Sequence, residues 1–332
     1  MKPRREESVM EDPRGFERAL VRWYEEGKVD YPWRRTEDPY AILVSEVMLQ
    51  QTTVQAVVEN RRYERFLERF PSVVELAEAS EEEILREWEG LGYYNRVRNL
   101  QKTARAVIED YGGAFPAELE ALKSLPGVGP YTAGAVASFA FNLSAPLVDA
   151  NVLRVFARLF DDDVPVNTPA GQKVAWKRAA ELVSPDNARA YNAALMELGQ
   201  KVCRHKEAHC LECPVARYCA TSRPNELPVK LAKKKATEIV EHALWCQEGD
   251  RVYMVKGDES RRKGMWRLPL VNGADGRKLL HEAKYTITTY KVTLKVYEGD
   301  EEVENGEWVP VGMLEDLPMP SPIRKVVARL VL

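Results

Sequence analysis

Several things are absent from this 332-residue sequence. No apolar run approaches the length needed to cross a membrane, and no repeat or low-complexity tract interrupts an ordinary globular composition. The charged opening MKPRREESVMEDPRG lacks the apolar core of a secretory signal, so a cytoplasmic chain is expected, with no membrane partner. A basic excess is missing too. The 48 Lys and Arg against 51 Asp and Glu leave a net charge of -3, which speaks mildly against a nucleic-acid partner. Distribution complicates that reading, because basic residues gather at Arg96–Arg105 and Lys230–Lys235 while acidic ones gather at Glu81–Glu89.

Cysteine is scarce, with five residues, but four of them occupy one window. Cys203, Cys210, Cys213 and Cys219 are spaced C-x6-C-x2-C-x5-C. In an intracellular chain this grouping reads as a metal site and not as disulfides. Four thiolates suit zinc and equally an iron–sulfur cluster, and the spacing alone leaves both open. Cys246 stands alone in an apolar run and reads as a buried thiol.

What is present centres on Leu122–Arg158. A helical turn (Leu122, Leu125) stops at Pro126, the loop Gly127-Val128-Gly129 follows, and Pro130 opens a helix of small residues. Amides of such a loop and of the helix start could hold a phosphate. About eighteen residues past the loop, Asp149 opens another helical run (Val152, Val155, Phe156, Leu159). An aspartate there is an N-cap as readily as a catalytic group.

Tyr40–Glu59 reads as one helix, with Glu46 set among Val44, Val47, Met48 and Leu49. A carboxyl in so apolar a setting is expected to be buried, to have a raised pKa and so to be able to act as a general acid near neutrality. The plain alternative is a solvent-facing glutamate on a helix whose other face is core. Gly90-Leu91-Gly92 forms a second glycine turn, followed by Tyr93 and Tyr94 and by Arg96, Arg98, Lys102 and Arg105, a combination suited to stacking on or inserting between bases and equally to two tyrosines in a core. Helical patterns also cover Gly15–Gly27, Tyr63–Phe70, Val73–Ala79, Glu81–Trp88 and Val164–Gly199. Residues 1–13 read as disordered and Ser222–Lys235 as a linker. Beyond it Ile239–Trp245, Arg251–Val255 and the alternating run ITTYKVTLKVY, taken as a single strand, precede a closing helix at Pro322–Leu332.

Taken together, LPGVGPYTAGAV, VDANV, the four-cysteine window, PWR (32–34), SEVMLQQT (45–52) and GLGYYNRVRNL (90–100) resemble the helix-hairpin-helix base-excision DNA glycosylases, and within them the adenine DNA glycosylases of the MutY type. The resemblance implies a multidomain chain. An all-α helix-hairpin-helix region would occupy residues 1–224, with a six-helix lobe at about 32–140 and a lobe at about 14–31 and 141–224 carrying an iron–sulfur cluster loop. A linker at 225–238 would lead to a small α+β Nudix-like domain at 239–332.

The same resemblance implies what the residues do. The partner is mispaired double-stranded DNA, the chain acts as a monomer, and the cysteines hold a [4Fe–4S] cluster. Glu46 would protonate the purine and Asp149, helped by Asn151, would stabilise the sugar cation. Tyr131 stands where the endonuclease III type carries a Schiff-base lysine, which implies a monofunctional enzyme leaving an abasic site. Gln51 and Tyr93 would wedge into the duplex, Gly127, Val128 and Gly129 would grip a phosphate, and Trp33, Arg34 and Leu49 would border the base pocket.

GMWRLPL (264–270) resembles a Nudix-like segment, without the glutamate cluster of a pyrophosphatase. Ile287-Thr288-Thr289 aligns with the family's contact to 8-oxoguanine but lacks its aromatic and histidine, and Ala193 replaces a usual Glu or Gln near the adenine pocket. The expectation is adenine removal opposite 8-oxoguanine or guanine. The alternative is a divergent paralogue that excises a purine from another mispair or lesion, and a non-catalytic DNA-binding protein is the rival from a different class.

Overall fold

The computed structural model describes residues 10–232, 235–257, 263–287, 289–300, 302–303 and 305–331. In chain order the helices are α1 (Pro13–Gly27), α2 (Pro39–Leu49), α3 (Val54–Val58), α4 (Arg62–Arg69), α5 (Val73–Glu78), α6 (Glu81–Glu87), α7 (Asn95–Tyr111), α8 (Leu119–Ser124), α9 (Pro130–Phe141), α10 (Ala150–Leu159), α11 (Pro169–Leu182) and α12 (Ala188–Lys201). Strands β1 (Thr237–Trp245), β2 (Gln247–Glu248), β3 (Arg251–Lys256), β4 (Trp266–Arg267), β5 (Leu270–Val271), β6 (Leu279–Ile287), β7 (Tyr290–Glu298) and β8 (Gly306–Pro310) follow, and α13 (Ser321–Leu330) closes the chain. No helix among the described residues is long and apolar enough to cross a membrane.

Backbone contacts divide the chain into two compact units: Met1–Leu67 with Ser72–Val74 and Lys102–Ala232, and Glu68–Pro71 with Glu75–Gln101 and Lys233–Leu332. In the first, α12 packs against α1, α9 and α10, and α2 packs against α9. The reason is periodicity: Phe16, Leu20 and Tyr24 make one stripe of α1, and Val152, Val155, Phe156 and Leu159 one stripe of α10, both buried with Leu195 and Leu198 of α12. Helix α2 differs, being buried from Tyr40 through Met48, as expected of a helix apolar on every side.

In the second unit one sheet has the order β5-β1-β7-β6, with β1 and β7 parallel and the outer pairs antiparallel. In the other sheet β3 lies between β4 and β8, and β2 also pairs with β3. Ala243, Trp245, Met254, Leu294, Val296, Ile323 and Val326 form the core between these strands and α13.

Several expectations are corrected. The single helix over Tyr40–Glu59 is two, because Gln51 takes a left-handed φ of 55° and the Thr53 hydroxyl caps α3 by accepting from Ala56 N. The single strand over ITTYKVTLKVY is two antiparallel strands, Ile287 pairing with Tyr290 across the turn. The helical span Val164–Gly199 breaks at Val183–Asn187, where the Ser184 and Asn187 side chains take the free amides. Only Gly127 of the hairpin glycines uses a positive φ, 80°; Gly129 sits at -85°, open to any residue. Part of the expected linker is fixed on the first unit, since Val166 N donates to Val229 O at 3.0 Å and Asn167 exchanges hydrogen bonds with the Leu231 backbone. The expectation of disorder over residues 1–13 falls partly on 1–9, outside the described residues, whereas Asp12 caps α1 by accepting from Gly15 N at 2.8 Å.

Gly134 lets α9 lie against the segment leading to Asp149. A Cβ there would meet Pro146 O at 2.1 Å and Pro146 C at 3.1 Å. Mid-helix Gly→Ala ordinarily gains about 1 kcal/mol. Here the clash with backbone reverses the sign, and Gly134→Ala is expected to lose about 2 kcal/mol in urea unfolding. An unchanged or raised midpoint would show that the approach is not tight.

Candidate active site

Glu46 is 5% exposed on α2. Tyr131, in the first turn of α9, donates its hydroxyl to Glu46 Oε2 at 2.6 Å. Burial pushes the Glu46 carboxyl from 4.5 to about 7; the Tyr131 hydrogen bond and the Arg34 charge act against that push, and the Asp149 charge adds to it. The same surroundings hold the Tyr131 hydroxyl well above its ordinary value, burial first and then the two carboxylates, so it is a donor and not a base.

Asp149 is both things the sequence allowed. It is the N-cap of α10, Oδ1 accepting from Val152 N at 2.7 Å, and Oδ2 accepts from Asn151 Nδ2 at 2.8 Å. Burial raises its pKa and these hydrogen bonds oppose the rise. Asn151 is itself held, its Oδ1 accepting from Arg154 Nη2 at 2.7 Å. Arg154 also donates to Gly199 O and to Cys203 O, both at 2.7 Å. Gly199 is required there, since a Cβ would come within 2.6 Å of Asn151 Cβ.

A cavity of about 400 Å³ in the first unit is lined by Trp33, Arg34, Glu46, Leu49, Ala193 and Met196 among others. The pocket residues named from the sequence therefore converge on Glu46. Asp149, Tyr131 and Asn151 are not on its wall, and the Asp149 charge is felt at Glu46 and Tyr131. Arg34 is fixed by donating to Tyr24 Oη at 2.9 Å and lies over the Phe139 ring at 5.7 Å. Trp33 stacks on Tyr31, ring centroids 5.1 Å apart. The cavity wall beside Glu46 is thus rigid and aromatic.

Cys203, Cys210, Cys213 and Cys219 are free thiols, and the charges of Cys203, Cys219 and Cys210 are all felt at Cys213, whose pKa burial pushes up to about 11. The 1%-exposed Arg158 donates to Cys203 Sγ at 3.3 Å and to Arg204 O at 2.7 Å, while the Cys219 thiol donates to Arg158 O at 3.4 Å. Among the described residues, no group of three or more His, Cys, Asp or Glu is placed to hold a metal ion.

Of the hairpin, Gly127 and Gly129 are exposed, but Val128 is buried and its amide donates to Leu125 O at 3.1 Å. The expectation of three presented amides fails at Val128, because its side chain is core and turns the peptide inward. Gln51 is an exposed residue of the first unit and Tyr93 a 46%-exposed residue of the second, and each holds a positive φ. Ile287 ends β6, Thr289 accepts from Thr237 N through its carbonyl at 2.8 Å, and Thr288 lies outside the described residues.

Residues 44–169 match the family described as HhH-GPD superfamily base excision DNA repair protein. The thymine/uracil-DNA glycosylase of Pyrobaculum aerophilum is 38% identical over 213 residues, 61% of this chain and 92% of that protein. The chain belongs to the HhH-GPD superfamily. A solved thermostable thymine-DNA glycosylase superposes with a TM-score of 0.56 at 31% identity, covering 63% of this chain and 95% of that one. The adenine DNA glycosylase of Rattus norvegicus is 42% identical over 221 residues, 64% of this chain. This chain spans 42% of that relative, less than half its length.

Sequence reasoning missed Tyr24, Arg154 and Arg158. The two arginines carried a readable signal: spaced i, i+4 on α10, beside its apolar stripe, they were placed to be buried, and both are.

A pH test follows from Glu46. Its raised pKa means the folded chain keeps a proton that the unfolded chain has released, so this carboxyl stabilises the fold below about 4.5 and that contribution is lost as pH rises to about 7. Glu46→Gln has no such loss. Its unfolding free energy relative to the wild type should climb by about 3 kcal/mol across that window. A flat difference in urea melts at stepped pH contradicts the burial account.

Proposed function

We propose that this chain is a monofunctional DNA glycosylase that hydrolyses the glycosidic bond of adenine in a mispair. The observation that carries the reading is the buried Glu46 carboxyl hydrogen-bonded by Tyr131 at the wall of a cavity of about 400 Å³, roomy enough to admit a base. An acid titrating near 7 delivers a proton under neutral conditions. A purine has a ring nitrogen, N7, that can take that proton without losing the base's attachment geometry, whereas a pyrimidine does not. This favours adenine over the thymine and uracil named for the archaeal relative. The 42% identity to the rat adenine enzyme points the same way.

The reaction is written on this chain's residues. The target nucleotide leaves the stack and enters the cavity, since the bond cannot be reached inside a duplex. Glu46 donates its proton to adenine N7, and the C1′–N9 bond breaks with its electron pair going to the base. Asp149, whose carboxylate form is favoured by the hydrogen bonds from Val152 N–H and Asn151 Nδ2–H, faces the cationic sugar. Water adds to C1′ and its proton passes to the carboxylate left at Glu46, giving an abasic site and free adenine. Tyr131 positions Glu46 and, lacking an amine, forms no Schiff base, so the strand stays intact.

Gln51 and Tyr93 are the duplex contacts in this reading. The exposed Gly127 and Gly129 backbone holds a phosphate, and Trp33, Arg34 and Leu49 border the base. The sheet-bearing unit serves as a Nudix-like reader of the opposing base, with Ile287 at the end of β6 and Thr289 among its contacts. The chain acts as a cytoplasmic monomer on double-stranded DNA.

The four cysteines are read as the seat of a [4Fe–4S] cluster. The reading rests on four free thiols within residues 203–219, three of them close enough for their charges to be felt at Cys213, and on the buried Arg158 guanidinium donating to Cys203 Sγ. Held by these four thiolates, a cluster would cross-link residues 203 to 219 to one another and brace the loop, which Arg154 and Arg158 of α10 already join by hydrogen bonds to Cys203 O and Cys203 Sγ.

Two measurements test these readings. With a panel of duplexes carrying adenine opposite 8-oxoguanine, guanine or cytosine, and thymine or uracil opposite guanine, adenine should be released and strand cleavage should appear only after alkali. Glu46→Gln should slow release by roughly a thousandfold or more. Release of thymine or uracil alone would reject the assignment, and cleavage without alkali would reject the monofunctional reading. For the cofactor, the purified protein should be brown and hold about four iron and four sulfide per chain. One zinc per colourless chain would reverse that reading.

A further inference from the structure

Tyr93 is an exposed aromatic residue in a conformation that favours glycine, φ 49°. For a bulky residue that backbone is strained and persists only where neighbours enforce it. The turn's own residues enforce part of it. Trp88 Nε1 donates to Gly92 O at 3.1 Å, and Arg96 Nη2 donates to Leu91 O and Gly92 O at 2.9 and 3.0 Å. The Arg96 guanidinium lies over both the Trp88 and the Tyr93 rings, at 5.3 and 5.7 Å.

The rest comes from far along the chain. Glu89, immediately before the turn, is gripped through both carboxylate oxygens by Arg324 of α13, with Nη2 to Oε2 at 2.7 Å and a second contact from Nε to Oε1. Arg324 in turn donates to Leu314 O at 3.3 Å and Leu317 O at 2.5 Å, which locks the guanidinium onto its own segment. Tyr94, immediately after Tyr93 and 8% exposed, donates its hydroxyl to Met319 O at 3.3 Å. Arg86, one turn earlier, pairs with Asp316 at 2.6 Å. All of these residues belong to one compact unit. Residues 314–324 therefore hold the chain on both sides of Tyr93.

We propose that Arg324 and Met319 make the C-terminal segment a clamp that positions Tyr93, with Glu89 and Tyr94 as the gripped points. This rests on the proposed function, in which Tyr93 engages the duplex, and deepens it. The unit carrying the sheets then contributes to DNA engagement by fixing the turn as well as through any contact of its own. The paired oxygens of Glu89 suit this task because a bidentate guanidinium pair fixes orientation and distance together.

Two variants test the clamp: Glu89→Ala, which removes the grip while leaving Arg324 bonded to its own carbonyls, and Tyr94→Phe, which deletes one hydroxyl from an otherwise intact core. Hydrogen exchange on the free full chain is the first readout. Each variant should speed exchange of the amides from Gly90 to Arg96 by about tenfold, with the strands unchanged. Unchanged exchange at the turn in both variants overturns the clamp.

The second readout is a double-mutant cycle on binding to a duplex with adenine opposite 8-oxoguanine. Glu89→Ala should weaken binding about fivefold in the wild-type background and not at all in Tyr93→Ala. Equal losses in both backgrounds would mean that Glu89 acts elsewhere and overturn the positioning role. If Tyr93→Ala alone binds as tightly as the wild type, the duplex role of Tyr93 falls, and the exchange result still decides the clamp.

Discussion

The hydrogen bond from the Tyr131 hydroxyl to Glu46 Oε2, made where α2 and α9 meet, sets the character of the site. Two effects of opposite sign act on one carboxyl. Removal from water raises its pKa, and a donor at 2.6 Å holds the rise in check, leaving it near 7. Neither effect exists without the packing. Ala133, Gly134, Ala135, Val136 and Ala137 let α9 run through the core as a buried helix, and α2 is apolar on every side except at Glu46 and Ser45. The Ser45 hydroxyl returns to Ile42 O at 2.8 Å, and Glu46 is the one carboxylic acid of that helix.

The second carboxyl depends on close approaches between backbones. Gly134 admits Pro146 and Gly199 admits Asn151, so the segment from Pro146 to Asn151 is pressed between α9 and α12. Arg154 then joins Asn151, Gly199 O and Cys203 O within a single guanidinium. A buried arginine with these acceptors is expensive to disturb, because each lost partner leaves an unpaired polar group out of water. The cysteine loop and the carboxylate at residue 149 are therefore mechanically close, although eight residues of helix separate Asp149 from Arg158, whose Nη1 reaches Cys203 Sγ.

In the second unit polar contacts decide position again. Two sheets and α13 make an apolar core of their own, while charged side chains on α6, α7 and the turn between them pair with one another, with Asp316 and with Arg324 of α13. Most such pairs are exposed and contribute little singly. The half-buried Arg324–Glu89 pair differs by being bidentate and backed by backbone carbonyls.

Much of this was legible in the residues. Apolar stripes gave α1 and α10, Pro130 after the glycine loop gave the start of α9, and Glu46 stood out because a carboxylate interrupts an otherwise apolar run. The spacing of four cysteines placed them in one loop. Breaks were harder to read. The end of α2 at Leu49 and the turn between β6 and β7 carry no glycine or proline, and Gln51 and Tyr93 adopt left-handed backbone that their side chains disfavour. Side-chain propensity gave no sign of left-handed backbone at Gln51 or Tyr93, although the Thr53 cap and the Gly90–Gly92 turn beside them were local signals of a bend nearby. The sequence by itself determined which groups are titratable, which helices are apolar and which thiols are neighbours along the chain. Only the tertiary structure decided that Tyr131 reaches Glu46, that Arg154 joins Asn151 to the cysteine loop and that Arg324 meets Glu89. Hydrogen bonds and burial act over a few ångströms between residues dozens to hundreds of positions apart, and no local pattern encodes that distance.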